Sequence, residues 1–249
     1  MSSQAPRTRS LDDAPIAVLA GGSGFVGGAL RSALSREGWA IRELGRTGPD
    51  ARWRDPASIR QAVEGAAMVI NLAGKSVNCR YTRRNRDEIY RSRIETTRAL
   101  REAIADAAAP PPLWLNASTA TIYRHAIDRA QDERSGEIGE GFSVDVARDW
   151  EAELFAGELP RTRRVSLRMA IVLGDGPAND LLFRLARIGL GGPQFDGWWF
   201  AHRRYRGIGP HASGDGRARG HRTRGRQRFS WIHIDDVVGA VQFIRDHPE

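Results

Sequence analysis

At 249 residues, 41% hydrophobic and 27% charged, the chain is long enough for one large α/β domain with a proper core, or for two small ones. Its single cysteine, Cys79, excludes an internal disulfide and any multi-cysteine zinc site and points to a reducing cytoplasm, while residues 1–13, read as a disordered tail, hold no apolar signal core and no later run is long enough to span a bilayer. The net charge of +8 sits in residues 203–228, where nine arginines face one acid, Asp215, so the remainder is neutral and a generally basic protein is excluded.

In chain order, the apolar run Ile16 to Ala20 reads as a strand leading into Gly21, Gly24 and Gly27, after which Val26, Leu30 and Leu34 fall on one helical face. The G-x-x-G-x-x-G spacing lets the backbone turn sharply and approach a pyrophosphate, and Gly27 lets the helix lie close to the strand. The amides of the turn and of the first helical residues, Ser23, Phe25 and Val26 among them, would then point at the phosphates of a dinucleotide. Gly38 marks the helix end, and Ala40 to Leu44 reads as a second strand. An acid at the end of that strand would hold the ribose 2′-hydroxyl of NAD. The chain has Gly45-Arg46 there instead, and an arginine pairs with the 2′-phosphate of NADP, so NADP is expected over NAD.

A short helix is expected from Pro56 to Glu64, and Met68 to Ile70 reads as a buried parallel strand whose exit, Leu72 to Gly74, would flank the cofactor. Thr82 to Ala108 reads as a long helix packing through Ile89, Ile94, Ala99 and Ile104, with Glu88 and Arg93, on residue grounds alone, as surface charges. Pro110 to Pro112 stop it, Leu113 to Ser118 is the next strand, and Tyr123 follows. Arg129 to Gly141 reads as a flexible polar loop, Val144 to Phe155 as a helix, and Arg164 to Gly174 as one strand with Arg168 in its middle, a charge that needs a partner or a ligand. A helix at Leu181 to Leu190, a strand at Phe229 to Ile234 and a final helix capped by Asp235 or Asp236 complete the pattern. Strands alternating with helices imply a doubly wound parallel sheet of the Rossmann type with a basic insertion.

The motifs GGSGFVG, Asn71-Leu-Ala-Gly-Lys-Ser, Ser92-Arg-Ile-Glu-Thr-Thr97, Arg168 with Ile-Val-Leu-Gly174, Gly189-Leu-Gly-Gly192 and Ser230-Trp-Ile-His-Ile-Asp-Asp236 together resemble the nucleoside-diphosphate-sugar epimerase-like proteins. These are an atypical "epimerase family" branch of the short-chain dehydrogenase/reductase superfamily, and the resemblance runs from about Pro15 onward. It implies an NADP-binding Rossmann fold with Gly45, Arg46, Leu72, Ala73, Glu88, Arg93 and Val172 around the cofactor. It also implies a Ser/Thr at Ser118 that polarises a substrate oxygen, and an Arg168 that approaches the cleft on the substrate side. Two departures stand out. The superfamily's Tyr-x-x-x-Lys pair is absent, its expected positions holding Ser143 and Ala147, and Tyr123 is a possible substitute whose bland role is packing. Relatives also join Gly-Gly-Pro to Ser-Trp-Ile-His by a shorter loop and continue past the final helix, so the substrate region reads as truncated.

The chain is thus expected to divide into a tail at 1–13, an NADP-binding domain at 14–178, a substrate-side segment with the arginine-rich insertion at 179–228, and a returning strand and helix at 229–249. The leading function is an NADP-dependent oxidoreductase or epimerase on a small hydroxyl or carbonyl substrate such as a nucleotide sugar, with Ser118 and Tyr123 as catalytic residues. The alternative is an NADP-binding protein without catalysis. The arginine-rich stretch reads as a solvated insertion rather than a nucleic-acid surface, and His202, His211 and His221 as surface residues, so no metal is expected. Sequence leaves the oligomeric state open.

Overall fold

The first strand, β1 (Ile16–Ala20), is buried over its last four residues because both of its edges are paired, and the rest of the sheet grows outward from it. In the computed structural model, which describes residues 14–175, 183–189, 207–213 and 229–248, β1 runs parallel to β2 (Ala40–Gly45) on one side and to β4 (Met68–Asn71) on the other, with Val18 opposite both Arg42 and Val69. A two-residue edge strand, β3 (Ala51–Arg52), extends the first side, while β5 (Leu113–Thr119) and β6 (Arg163–Met169) extend the second. The order β3-β2-β1-β4-β5-β6, parallel throughout, is the doubly wound arrangement expected, and its direction of growth reverses between β1 and β4.

Period-two alternation in β1 assigns its faces. Ala17 and Leu19 meet Leu30 and Leu34 of α1 (Phe25–Arg36) and Val241 of the last helix, whereas Val18 and Ala20 share a core with Ile59 and Val63 of α2 (Pro56–Val63) and Leu100 and Ile104 of α3 (Arg83–Asp106). Helix α1 closes as the glycine foretold: Gly38 has φ +81°, its N–H donates to Ser35 O at 3.1 Å and that of Trp39 to Leu34 O at 3.0 Å, so the last carbonyls are satisfied. Asp55 caps α2 through the amides of Ala57 and Ser58, and Thr82 caps α3 through Asn85.

Several expectations change. The single strand at 164–174 divides: β6 ends at Met169, and β7 (Ile171–Leu173) leaves the main sheet to pair in parallel with β8 (Trp231–His233). The final helix, numbered α5 here (Ile234–Asp246), is capped by His233 accepting from the Asp235 N–H, so Asp235 and Asp236 occupy its first turn. The 129–141 loop is pinned rather than free, because Tyr123 bridges Ile138, Gly139 N–H donates to Ile122 O at 2.9 Å and Arg124 N–H donates to Glu137 O at 2.8 Å. Of the helix expected at 181–190, residues 183–187 are helical and 188–189 form a turn, while 181–182 and 190 lie outside the described residues.

The insertion is also not wholly solvated. Helix α4 (Phe142–Phe155) buries Asp145 and Asp149, 0% and 4% exposed, under residues 207–213. The amides of Ile208 and Ser213 donate to Asp145 at 3.2 and 2.7 Å, and the His211 amide donates to Asp149 at 3.3 Å. The His211 ring and Ser213 hydroxyl complete these contacts, and Tyr90 Oη of α3 donates to Asp149 at 2.9 Å. Ile208 joins Ile89, Phe142 and Val146 in a small apolar cluster. His211 is an exposed residue, as expected, that also serves as a structural partner of a buried acid; His202 and His221 lie outside the described residues.

Candidate functional site

The carboxyl ends of β1, β2 and β4 meet at the point where strand order reverses, the position at which open α/β sheets bind ligands. Gly21, at φ +81°, lies so close to the β4 exit that a Cβ there would fall 2.9 Å from Leu72 C and 3.0 Å from Ala73 N. A Cβ at Gly27 would stand 2.6 Å from Gly21 O, so this glycine presses α1 onto the turn as its spacing implied. Gly24 is the α1 N-cap, with no side-chain cap and no acid in the first turn. The first helical amides, with the positive end of the helix dipole behind them, are thus left to an external acceptor. Gly45 closes β2 beside this turn, where Gly21 N–H donates to Leu44 O at 3.2 Å, and Arg46 is exposed with no hydrogen bond or ion pair among the described residues. A cradle that a Cβ would fill and uncapped amides fit the pyrophosphate of a dinucleotide, with an unengaged arginine beside them.

A buried polar ladder sets the β4 exit. Asn71 Nδ2 donates to Asn116 Oδ1 of β5 at 2.7 Å and to Thr97 Oγ1 at 3.2 Å, and its own Oδ1 accepts from Ala73 N–H at 3.1 Å. Trp150 Nε1 of α4 donates to the same Thr97 hydroxyl at 2.9 Å. Below Gly74 lies Arg93, whose guanidinium would be 3.1 Å from a Cβ on that glycine. It donates to the carbonyls of Lys75 and Ile89 at 3.2 and 3.0 Å and stacks 5.2 Å over Trp150. Burial pulls its pKa down from the usual guanidinium value, and it meets no carboxylate among the described residues. Arg93 is thus not a surface charge. Glu88 pairs with Lys75 Nζ at 2.5 Å and with Arg84 Nε at 3.1 Å, and these bonds, Lys75 first, hold its carboxyl below the usual range. Val172 lies mid-way along β7, whose following Gly174 would, with a side chain, come within 2.9 Å of the Phe25 ring at the start of α1.

The remaining expected residues form a second cluster at the ends of β5 and β6. Ser118 Oγ donates to Glu151 Oε1 of α4 at 2.7 Å, and Ser166 Oγ to the same oxygen at 2.9 Å. Arg168 clasps Glu151 through Nε and an η-nitrogen at 2.8 and 2.6 Å, and donates to Tyr123 Oη at 2.7 Å while lying 5.2 Å over the Tyr123 ring. Burial pushes the Glu151 carboxyl up, but the bonds from Arg168, Ser118 and Ser166 outweigh it and leave it below the ordinary glutamate value. The Arg168 pKa is raised, first by Glu151. The partner that a charge in the strand demanded is therefore Glu151, which sequence reasoning did not single out; its one signal was its place a turn beyond Ala147 on the same helical face. Trp150 and Glu151, adjacent in α4, join the two clusters. Among the described residues there is no group of three His, Cys, Asp or Glu able to hold a metal, and no helix long and apolar enough to cross a membrane.

Comparison with known proteins agrees with this geometry. The family model described as the NAD dependent epimerase/dehydratase family matches residues 17–180. The chain is 31% identical over 232 residues to the cattle (Bos taurus) epimerase family protein SDR39U1, covering 90% of this chain and 68% of that protein. It is 29% identical over 234 residues to Bacillus subtilis epimerase family protein YfhF, with 90% and 68% covered. A crystal structure of human SDR39U1 (isoform 2) with NADPH superposes with a TM-score of 0.74 at 27% identity, covering 93% of this chain and 70% of that one. The chain belongs to the NAD dependent epimerase/dehydratase family.

Proposed function

We propose that this protein binds NADP(H) in the crevice between β1 and β4 and uses it in hydroxyl–carbonyl chemistry on a small substrate such as a nucleotide sugar. The observation that carries the reading is the uncapped start of α1, pressed by Gly21 and Gly27 against the Leu72–Ala73 exit, with Arg46 and no acid ending β2. The α1 amides would hold the pyrophosphate, Arg46 the 2′-phosphate, and Arg93 an electronegative group of the cofactor near Gly74, with Ser23, Phe25, Val26, Glu88 and Val172 lining the same edge. When bound, the nicotinamide supplies hydride exchange. Ser118 and Tyr123, held through Glu151 and Arg168, would meet the reacting oxygen. The NADPH bound by human SDR39U1 supports the cofactor assignment by likeness. A chain with one half-buried thiol, Cys79, suits a reducing cytoplasm.

A second reading, cofactor binding without turnover, draws on α4: Ala147 is fully buried at the expected lysine position and Ser143 holds the expected tyrosine position. A screen of nucleotide sugars and small aldehydes and ketones, followed by loss of NADPH absorbance, separates the two. Substrate-dependent oxidation supports the enzyme, and tight NADPH binding with no oxidation by any carbonyl supports the second reading.

A further inference from the structure

Glu151 and Arg168 do more than neutralise one another. Seen along α4, Glu151 follows Ser143 and Ala147 at four-residue steps, so it stands on the helical face where an acid–base pair is missing. An ionised carboxylate only accepts hydrogen bonds, and Glu151 accepts them from Ser118 at 2.7 Å, from Ser166 at 2.9 Å and from two nitrogens of Arg168. The single hydroxyl proton of Ser118 is therefore committed, and only its lone pairs remain for another partner. A guanidinium only donates, so the bond from Arg168 at 2.7 Å occupies the Tyr123 oxygen as an acceptor and leaves the phenol proton uncommitted. One chain of bonds, running Ser118, Glu151, Arg168, Tyr123, gives its two ends opposite polarity.

We infer that Glu151 and Arg168 are positioning residues that make Ser118 the acceptor and Tyr123 the donor toward a single substrate oxygen. The inference rests on the hydroxyl–carbonyl reading of the crevice. The substrate group that satisfies both ends is a secondary or primary alcohol, whose O–H donates to Ser118 while its oxygen accepts from Tyr123. In the reductive direction the carbonyl carbon takes up a hydride, supplied by a reduced nicotinamide, and the carbonyl oxygen takes up the Tyr123 proton. The new alcohol then donates to Ser118, and the phenolate left behind keeps its bond from Arg168 until water returns the proton. Oxidation is the same sequence reversed. A carbonyl oxygen faces the Ser118 lone pairs with none of its own protons to offer, so the alcohol binds more tightly than its carbonyl partner.

The polarity is testable on the free protein. The Raman Fermi doublet of tyrosine changes its intensity ratio according to whether the phenol oxygen accepts or its proton donates, and a wild-type minus Tyr123→Phe difference isolates Tyr123 from the other tyrosines. An acceptor-type doublet that is lost in Arg168→Met and kept in Arg168→Lys is expected; a donor-type doublet in the wild type overturns the inference, and needs no second variant. With a carbonyl that the protein reduces, Tyr123→Phe should lower kcat about 100-fold and Glu151→Gln about 10-fold, both with unchanged affinity for NADPH. Unchanged kcat in both overturns the positioning claim and leaves the cofactor reading standing, whereas a wild type that binds NADPH and reduces no carbonyl overturns the reading on which the claim rests.

Discussion

Single glycines decide whether the crevice exists. At Gly21 a side chain would need both a left-handed backbone and the space already held by Leu72 and Ala73, whose main chain cannot retreat without straining the Leu72 N–H bond to Ala20 O. Gly21→Ala is expected to lower stability by about 1–3 kcal/mol and to abolish NADPH binding, read by thermal unfolding with and without the nucleotide. Glu151 makes a claim of a different kind. Because its pKa in the folded protein lies below the ordinary value of 4.5, it contributes stability that is fully present above that value and is lost as pH falls through the depressed one. Glu151→Gln should therefore be less stable than wild type at neutral pH and show a shallower loss of stability on acidification below pH 4.5, measured by urea unfolding across that range. Equal slopes would mean that the carboxylate is not held ionised by its neighbours.

At the scale of elements, four arginines outside the basic segment close helices. Arg42 donates to the carbonyls of Ala62 and Glu64 at the end of α2, Arg161 to Ala107 and Ala108 at the end of α3, Arg164 to Leu154 and Ala156 at the end of α4, and Arg163 to Ile244 and His247 at the end of α5. Each guanidinium satisfies orphaned carbonyls at the negative end of a helix dipole. Arg42→Ala is expected to cost about 1 kcal/mol, visible as a lower urea midpoint at unchanged slope. The segment 207–213 holds α4 from another side. Asp149→Ala would remove the acceptor of the half-buried Tyr90 hydroxyl and of the His211 N–H, with an expected loss of about 1–2 kcal/mol and faster amide exchange at 207–213 than at β5. Loss of stability without faster exchange there would show that the segment does not depend on this acid.

Across the whole molecule, legibility in the sequence followed the range of the interaction. Strand, turn and helix from Ile16 to Gly45 were readable because apolar periodicity, glycine spacing and the Gly38 terminator are all local, and the long proline-stopped α3 was readable for the same reason. The two-residue β3 was not, since an edge strand that pairs at Leu44 and Gly45 carries too few residues for a period. Nor was the break at Ala170, because β6 and β7 are both apolar enough for strands and only their partners, β5 and β8, differ. The glycines, Arg46 and the Leu72–Gly74 exit came from the same local signals. Arg93 is a helix arginine by pattern and a half-buried one only because Gly74 and Trp150 close over it. Asp145, Asp149 and Glu151 read as the polar side of an amphipathic helix. Their partners lie 63, 62 and 17 residues away, on a segment and a strand whose approach no window on α4 can register.

The claim on which the rest depends is that the uncapped start of α1 and Arg46 together form a site for a 2′-phosphorylated dinucleotide. Calorimetric titration of the wild-type chain and Arg46→Ala with NADPH and NADH tests it most directly. The expected result is preferential binding of NADPH by the wild type, weakened about 10–100-fold in Arg46→Ala, with NADH affinity the same in both. Equal affinity for NADPH and NADH in the wild type would contradict the role of Arg46, and no binding of either would contradict the site itself.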